Sequence, residues 1–337
     1  MTVAVATWLM FILGWKGHQI QTSNITMHKT KEIEDVGTRN NGNGAGTSSK
    51  ASLLSIRGKT FQRGQLKRDS VIIFIHVPKT GGTTISNNIE FRSNTSMKLF
   101  THIHGGRKMW RRGKDYIDNY LSRSRRTETE NIKKGEQSVF MEIHTLAPSF
   151  VTLQDQIQAW KHNATANGKN LFVFTILREP VSWSMSAFNH YFHGSIVNDL
   201  RANPNKTTAN SVLVDYCQEN AQCTFLFHSW QYPKPKSHRW NPQKKNCDFV
   251  YTSLENQADF VGTTERIHDV TEMLKFLLDM PSNFTFTHEN SGKTNSAGLY
   301  IGINEMSNNT LEYYKSMTSL DNDLYENARK GWSLMYT

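Results

Sequence analysis

A short loop between an apolar run and a helix-like stretch carries the residue types that bind oxyanions. Residues 76–84 read His-Val-Pro-Lys-Thr-Gly-Gly-Thr-Thr. Adjacent glycines allow close approach to the backbone, and hydroxyl side chains are typical of a helix start. The unpaired N–H groups of a helix N-terminus favour an anion, and Lys79 adds a mobile positive charge. The pattern predicts a site for phosphate or a similar oxyanion, and a hydroxyl-capped glycine turn is the alternative.

The order of residues in this loop differs from that of the nucleoside-triphosphatase loop. In the pattern G-x-x-x-x-G-K-[ST] the lysine follows the last glycine, whereas Lys79 precedes both Gly81 and Gly82. A second Ser-Gly-Lys-Thr, at residues 291–294, has Thr287 where the first glycine of that pattern would stand. We interpret residues 291–294 as a loop.

A second candidate anion site begins at Arg178, where another apolar run ends. Pro180 suits the first turn of a helix, and Ser186 lies eight residues after Arg178, about two helical turns further on. A guanidinium and a hydroxyl on one side of a helix can converge on a phosphate. For Arg178 taken alone, an ordinary salt bridge at a strand end is the alternative.

A histidine after a third apolar run could act as a general base. His144 stands at the end of that run, and a neutral imidazole accepts a proton near neutral pH. A structural histidine bonded to the backbone is the alternative. Glu142 is the reserve candidate, since it points to the same side of the strand but deeper. The other histidines considered are His76, which could brace the anion loop, and His102 and His104, which are less well placed.

Parallel strands would bring these residues together. Four short runs, rich in β-branched and aromatic residues, are the candidate strands: residues 71–77, 139–143, 171–177 and 259–262. Three helical patterns follow them, at residues 83–91, 181–191 and 267–278. Short apolar runs of this kind are typical of buried parallel strands. Their alternation with helices predicts a three-layer α/β domain, which binds ligands at the carboxyl edge of its parallel sheet.

Composition excludes disordered and fibrous chains and favours an anionic partner. The chain has 337 residues, of which 37% are hydrophobic, and a net charge of +10. Residues 105–134 hold ten Lys or Arg against four acidic residues. This basic segment is either a solvated face or a surface that attracts an acidic acceptor or a membrane, through Arg107, Lys108, Arg111 and Arg112. The charge gives no separate reason to invoke nucleic acid.

The amino-terminal segment suggests a route through the secretory pathway. Residues 3–15 form an apolar run shorter than the roughly 17 residues that a spanning helix needs. We expect a signal anchor or signal peptide at residues 1–16, a flexible stem at 17–69 and one catalytic domain at 70–337. Six glycosylation sequons fit a lumenal protein: Asn24, Asn94, Asn163, Asn205, Asn283 and Asn308.

Three cysteines allow at most one disulfide. Cys217 and Cys223 enclose five residues and could form a local bridge, and a pair of buried thiols is the alternative. Neither these two nor Cys247 has the paired spacing of a zinc site, so we expect no metal.

Together, the two anion motifs resemble the signatures of sulfotransferases that use 3′-phosphoadenosine 5′-phosphosulfate (PAPS), especially membrane-bound Golgi carbohydrate sulfotransferases. The resemblance implies that the first loop holds the 5′-phosphosulfate, through Lys79, Thr80, Gly81, Gly82, Thr83 and Thr84. It also implies that Arg178 and Ser186 bind the 3′-phosphate. It extends through residues 259–265 and 320–325, and so covers roughly residues 70 to 335.

The same resemblance implies a P-loop-like fold, PAPS as the sulfuryl donor without a metal, and a glycan acceptor. His144 would be the catalytic base, and Lys79 would stabilise the leaving phosphate oxygen. The first loop is most similar to heparan sulfate 6-O-sulfotransferases, whereas residues 176–191 and 320–325 are more similar to galactose 3-O-sulfotransferases.

We therefore expect transfer to the galactose 3-hydroxyl of a glycolipid or glycoprotein, with a glycosaminoglycan as the alternative acceptor. The expected location is the Golgi membrane, with a single-pass type II anchor and a lumenal catalytic domain. A P-loop-like kinase and a non-catalytic glycan-binding module are the competing classes. No nucleic-acid partner is expected.

Overall fold

The computed structural model of the chain describes residues 52–92, 97–100, 106–123, 138–144, 148–191, 217–228, 242–287 and 302–337. The first elements in chain order are β1 (Leu53–Ile56), β2 (Lys59–Gln62), β3 (Ser70–Ile75), α1 (Gly82–Asn87), β4 (Lys98–Phe100), α2 (Gly106–Ser122), β5 (Val139–Ile143), α3 (Gln154–Ala166) and β6 (Asn170–Leu177). They are followed by α4 (Pro180–Tyr191), α5 (Ala221–His228), α6 (Lys244–Gln257), β7 (Phe260–Thr263), α7 (Ile267–Leu278), α8 (Asn308–Met317), α9 (Ser319–Gly331) and β8 (Leu334–Tyr336). The predictions for residues 1–16 and 291–294, and for His102 and His104, lie outside the described residues.

A parallel five-stranded sheet, flanked by helices, forms the centre of the domain. Its strand order is β4-β5-β3-β6-β7, and every described pair is parallel. The predicted α/β fold is confirmed, and the four candidate strands correspond to β3, β5, β6 and β7. The short edge strand β4 has no counterpart among the predicted strands.

The central strand is apolar because helices cover both faces of a parallel sheet. All six residues of β3 are buried. Each fully buried aliphatic or aromatic side chain contributes about 1.5–3 kcal/mol to folding. Trp160 of α3 is also fully buried, and its indole N–H donates to the Asp118 carboxylate of α2 at 2.6 Å. This contact joins two helices of the same layer.

The helix after β3 is shorter than the pattern at residues 83–91 predicts. Helix α1 ends at Asn87, and residues 88–92 continue as a wider π-helical turn. The Asn88 amide donates to the carbonyl oxygens of Thr84 at 2.6 Å and of Thr287 at 2.9 Å. The turn therefore attaches the end of α1 to a distant segment of the chain.

A small antiparallel sheet joins the amino-terminal part of the described chain to its last strand. Its order is β2-β1-β8, with Leu54 opposite both Phe61 and Tyr336. Leu54 and Ile56 are fully buried. Residues 53–62 were predicted as part of a flexible stem. The structure instead packs them into the folded domain and moves the boundary toward the amino terminus.

One disulfide joins helices α5 and α6, and it corrects the expected local pairing. Cys223 bonds Cys247, 24 residues away, with 5.6 Å between their Cα atoms. The Cys217 thiol is buried, takes no part in this disulfide, and packs in a cluster with Val181 and Met185 of α4. In the described part of the chain, no helix combines the length and the apolar character needed to cross a bilayer.

Candidate active site

Three neighbouring strands bring the predicted residues to one edge of the sheet. β5, β3 and β6 lie side by side, with Ile75 opposite both Ile143 and Thr175. His144 follows β5, the anion loop follows β3, and Arg178 follows β6. Because parallel strands end at the same edge, the three segments lie next to one another.

The anion loop turns sharply before helix α1. Lys79 and Gly81 have φ angles of 65° and 83°, and the Thr80 hydroxyl, which is buried, donates to the Val77 carbonyl oxygen at 2.7 Å. A non-glycine residue in the left-handed region costs about 1 kcal/mol or more. The structure thus gives Thr80 a role inside the turn and leaves Lys79 half-buried at its tip.

Gly82 lies against an imidazole ring. A Cβ atom at this position would come within 2.1 Å of the His76 Nε2 atom. Only glycine allows helix α1 to begin so close to the end of β3.

Arg178 connects its own strand end to the anion loop. Its guanidinium donates to the Lys79 carbonyl oxygen at 3.2 Å, and the Trp183 indole of α4 donates to the Pro78 carbonyl oxygen at 2.6 Å. The backbone of Arg178 is held by Gln222, whose side-chain oxygen accepts from its N–H at 2.9 Å and whose amide donates to its carbonyl at 2.7 Å. Sequence reasoning missed Gln222, because no motif marks a glutamine that pairs with backbone.

Two carboxylates outside the predicted site hold these segments. Asp321 is fully buried, and it accepts the backbone N–H groups of Gln222 at 2.9 Å and Cys223 at 2.7 Å. Burial raises the pKa of Asp321 to about 7, against the opposing effect of these two hydrogen bonds. Glu265 accepts from the Glu179 N–H at 3.1 Å and from the Tyr325 hydroxyl at 2.9 Å. Glu265, from residues 259–265, and Asp321, from residues 320–325, therefore support the Arg178 strand end.

The cations at this edge lie close enough to affect one another. Burial, and then the charge of Arg178, lower the pKa of Lys79 from 10.5 to about 8. Partial burial of the ring, and then the charge of Lys79, lower the pKa of His190. Both shifts therefore combine burial with repulsion from a neighbouring positive group.

The solvent-accessible residues of helix α4 lie on one narrow face. Ser182, Ser186 and His190, four residues apart, are accessible, whereas the other residues between Pro180 and His190 are buried. The predicted Ser186 thus lies on the exposed face of the helix. His190 was missed, although its position one turn beyond Ser186 could have identified it.

The candidate base is part of a group of three side chains. The His76 Nδ1 atom lies 2.5 Å from the Glu142 Oε1 atom, and both side chains are buried. His144 is half-buried, and its ring centroid lies 4.3 Å from that of His76. Glu142, the reserve candidate, is therefore bound to His76.

Two other predictions concern a metal site and the basic segment at residues 105–134. Among the residues that the structure describes, no group of three or more His, Cys, Asp or Glu side chains could hold a metal ion. Arg111 and Arg112 of the basic segment are exposed on α2, the helix that follows β4. The side chains of Arg107 and Lys108 are not among those that the structure describes.

A parallel sheet whose carboxyl edge carries a glycine-containing loop, neighbouring cations and a histidine defines an α/β protein with an edge suited to an anionic ligand. The model of the sulfotransferase family matches residues 65–330. This match covers more than half of the chain, and the chain therefore belongs to the sulfotransferase family.

One curated relative and one solved structure are similar over different lengths. Heparan-sulfate 6-O-sulfotransferase 2 of Danio rerio is 28% identical over 133 residues, which are 39% of this chain and 26% of the relative. The match thus spans about a quarter of that relative's length. The crystal structure of a mouse sulfotransferase complexed with PAP is 16% identical, covers 80% of this chain and 90% of its own, and has a TM-score of 0.36.

Proposed function

We propose that this member of the sulfotransferase family transfers a sulfuryl group from PAPS to a carbohydrate hydroxyl. The observation that carries the proposal is the group of cations around helix α1. The Arg178 guanidinium donates to the Lys79 carbonyl oxygen just before this helix, and burial, followed by the charge of a neighbouring cation, lowers the pKa values of Lys79 and His190. A ligand with several negative charges removes this repulsion.

The residues present fit a nucleotide with two separate anionic groups. Lys79 and the backbone N–H groups from Gly81 to Thr83 would hold the 5′-phosphosulfate, because they surround the start of α1, whereas the Thr84 N–H donates to the Gly81 carbonyl oxygen at 3.0 Å. Arg178 and Ser186, on the neighbouring strand end and helix, would hold the 3′-phosphate. The hydrogen bond from Arg178 to the Lys79 carbonyl oxygen keeps the two parts of this site together.

The chemistry requires a charge stabiliser and a base. PAPS, when bound, supplies a sulfuryl group attached to a phosphate oxygen. Lys79 stabilises the negative charge that develops on this phosphate oxygen. His144 accepts the proton of the acceptor hydroxyl, whose oxygen forms the new bond to sulfur as the bond between sulfur and phosphate oxygen breaks. Positioning and charge stabilisation dominate such a transfer, as they do for phosphoryl groups.

The acceptor is proposed from resemblance alone. The segments at residues 176–191 and 320–325 favour the galactose 3-hydroxyl of a glycolipid or glycoprotein. The alternative, a glycosaminoglycan, is favoured by the loop at residues 76–84 and by the name of the matched relative. Both acceptors belong in the assay.

A Golgi membrane location, with a lumenal catalytic domain, is part of the same proposal. The disulfide between Cys223 and Cys247 supports it, because disulfides persist in oxidising compartments. Expression in cells followed by removal of N-linked glycans tests lumenal exposure. A mobility shift on deglycosylation that becomes smaller when Asn283 and Asn308 are both replaced by Gln supports it, and an unshifted wild-type protein contradicts it.

Incubation of the purified chain with PAPS or ATP, together with galactose-terminated and heparan-type acceptors, tests the proposed reaction. We expect release of PAP that depends on the acceptor, and no turnover of ATP. Turnover of ATP alone would indicate a kinase. Glycan binding without turnover of either nucleotide would indicate the non-catalytic module.

A further inference from the structure

His76 and Glu142 are not needed as reactants in the proposed reaction, although both adjoin its site. Phe74 is opposite Glu142 in the register of β3 and β5, so the next positions place His76 beside His144. The His76 backbone N–H donates to the Ile143 carbonyl oxygen at 2.8 Å and continues this register past the strand ends. Glu142, His76 and His144 thus form one row across two strands.

The His76 ring is enclosed by neighbours. Its Nδ1 atom contacts Glu142, and its ring is stacked on Phe74 at a centroid distance of 5.2 Å with an interplanar angle of 13°. Its Nε2 atom lies against Gly82, where a Cβ atom would come within 2.1 Å. The His144 ring meets it edge-on, at 62°. A ring contacted by four groups has one orientation.

We infer that His76, held by Glu142, is a positioning residue that fixes the His144 ring against the donor loop. The inference rests on the proposed function, in which His144 is the base. Its physical basis is the contact between imidazole and carboxylate. A His76 ring that donates from Nδ1 to the Glu142 carboxylate cannot flip without losing this bond.

The His76 ring contacts both halves of the site. The same ring lies against Gly82, where helix α1 begins, and against His144, where the acceptor proton is removed. A shift of about 1 Å in a catalytic group can lower a rate by about 100-fold. Loss of the Glu142 contact therefore lowers kcat by moving His144, whereas the donor site, held separately by Arg178 and Gln222, keeps its affinity.

Two variants of Glu142 separate positioning from direct chemistry. Glu142→Gln keeps an oxygen that accepts the Nδ1–H bond, so we expect kcat within about threefold of wild type. Glu142→Ala removes the acceptor, so we expect kcat to fall about 10- to 100-fold, by analogy with the loss of a partner that orients a metal-ligating histidine. The Kd for PAP, measured by calorimetry, should stay within about threefold in both variants.

A matched control accounts for any loss of stability. Asp259 is another buried carboxylate, and it accepts the Val173 N–H at 2.9 Å on β6. Asp259→Ala should lower the Tm without the selective loss of kcat. If it lowers kcat as much as Glu142→Ala does, the Glu142 effect is structural and the inference fails.

Two further kinetic results would overturn the inference. Loss of activity in Glu142→Gln equal to that in His144→Ala would make Glu142 the proton acceptor, and unchanged kcat in Glu142→Ala would show that Glu142 does not position the base.

Nuclear magnetic resonance of ring N–H protons tests the contact between His76 and Glu142 independently of turnover. A downfield His76 Nδ1–H signal should be present in wild type and Glu142→Gln and absent in Glu142→Ala. Its absence in wild type overturns the inference, whereas lack of PAPS turnover with this signal present would count against the proposed function alone.

Discussion

Donor affinity should depend on pH through a single lysine. Lys79 has a pKa of about 8 because burial and Arg178 disfavour its charged form. A bound phosphate favours that charged form and so raises the pKa again. Binding of PAP therefore takes up a proton in the pH range where the free lysine is neutral.

The magnitude follows from the fraction of charged lysine. With a pKa of about 8, Lys79 is about 90% protonated at pH 7 and about 10% protonated at pH 9. If only the protonated form binds tightly, the Kd for PAP rises about tenfold between these pH values. A lysine with an ordinary pKa of about 10.4 would change the Kd by less than about 10%. The phosphate groups contribute little, because their second pKa is about 6.

Isothermal titration calorimetry with PAP, in two buffers of different ionisation enthalpy, measures both the Kd and the proton uptake. Lys79→Arg is the matched control, since a guanidinium stays protonated at every pH tested. Its Kd should be the same at pH 7 and pH 9. The reasoning is refuted if the wild-type Kd changes less than twofold over this range, or if Lys79→Arg shows the same change.

Three further predictions concern the scaffold. Gly82→Ala should abolish PAP binding and lower the Tm, because its Cβ would overlap the neighbouring imidazole, whereas Gly331→Ala has no atom within 4 Å and should be neutral. Since burial raises the pKa of Asp321, the folded chain holds a proton there that the unfolded chain releases above about pH 4. Denaturant unfolding should show stability falling as pH rises toward 7, by at most about 1.4 kcal/mol per pH unit from this group, and Asp321→Asn should remove this component of the pH dependence. Replacing Cys223 and Cys247 by Ser should lower the unfolding free energy by about 3–4 kcal/mol in denaturant titrations, because the disulfide closes a loop of some two dozen residues.

The parts of the fold that follow from local patterns could be predicted. β3 and β6 are continuous apolar runs, and helix α7 has regular apolar spacing, so period and burial define them without tertiary information. Strand β4 has three residues and no such pattern. β1 and β2 lie in a polar segment, and they form strands because β8, at the far end of the chain, pairs with β1. Pairing over this distance is invisible to local patterns.

The candidate site divides in the same way. Arg178 and the loop from Lys79 to Gly82 follow the ends of two strands. Because parallel strands end at the same edge of a sheet, the sequence alone predicts that these residues lie close together. Gln222 holds Arg178 from a helix 44 residues away, and its contact depends on how α5 packs. Disulfide pairing also depends on helix packing, which explains why the nearest cysteines in sequence are not the bonded pair.

The central claim is that one edge of the sheet binds PAPS and supplies a histidine base for sulfuryl transfer. Transfer from radiolabelled PAPS to a galactose-terminated or heparan-type acceptor, compared between wild type and His144→Ala, tests it most directly. We predict labelled glycan with the wild-type chain, no detectable label with His144→Ala, and a Kd for PAP that agrees between the two within about threefold. Near-normal transfer by His144→Ala would contradict the assignment of the base, and no transfer by the wild-type chain would contradict the proposed activity.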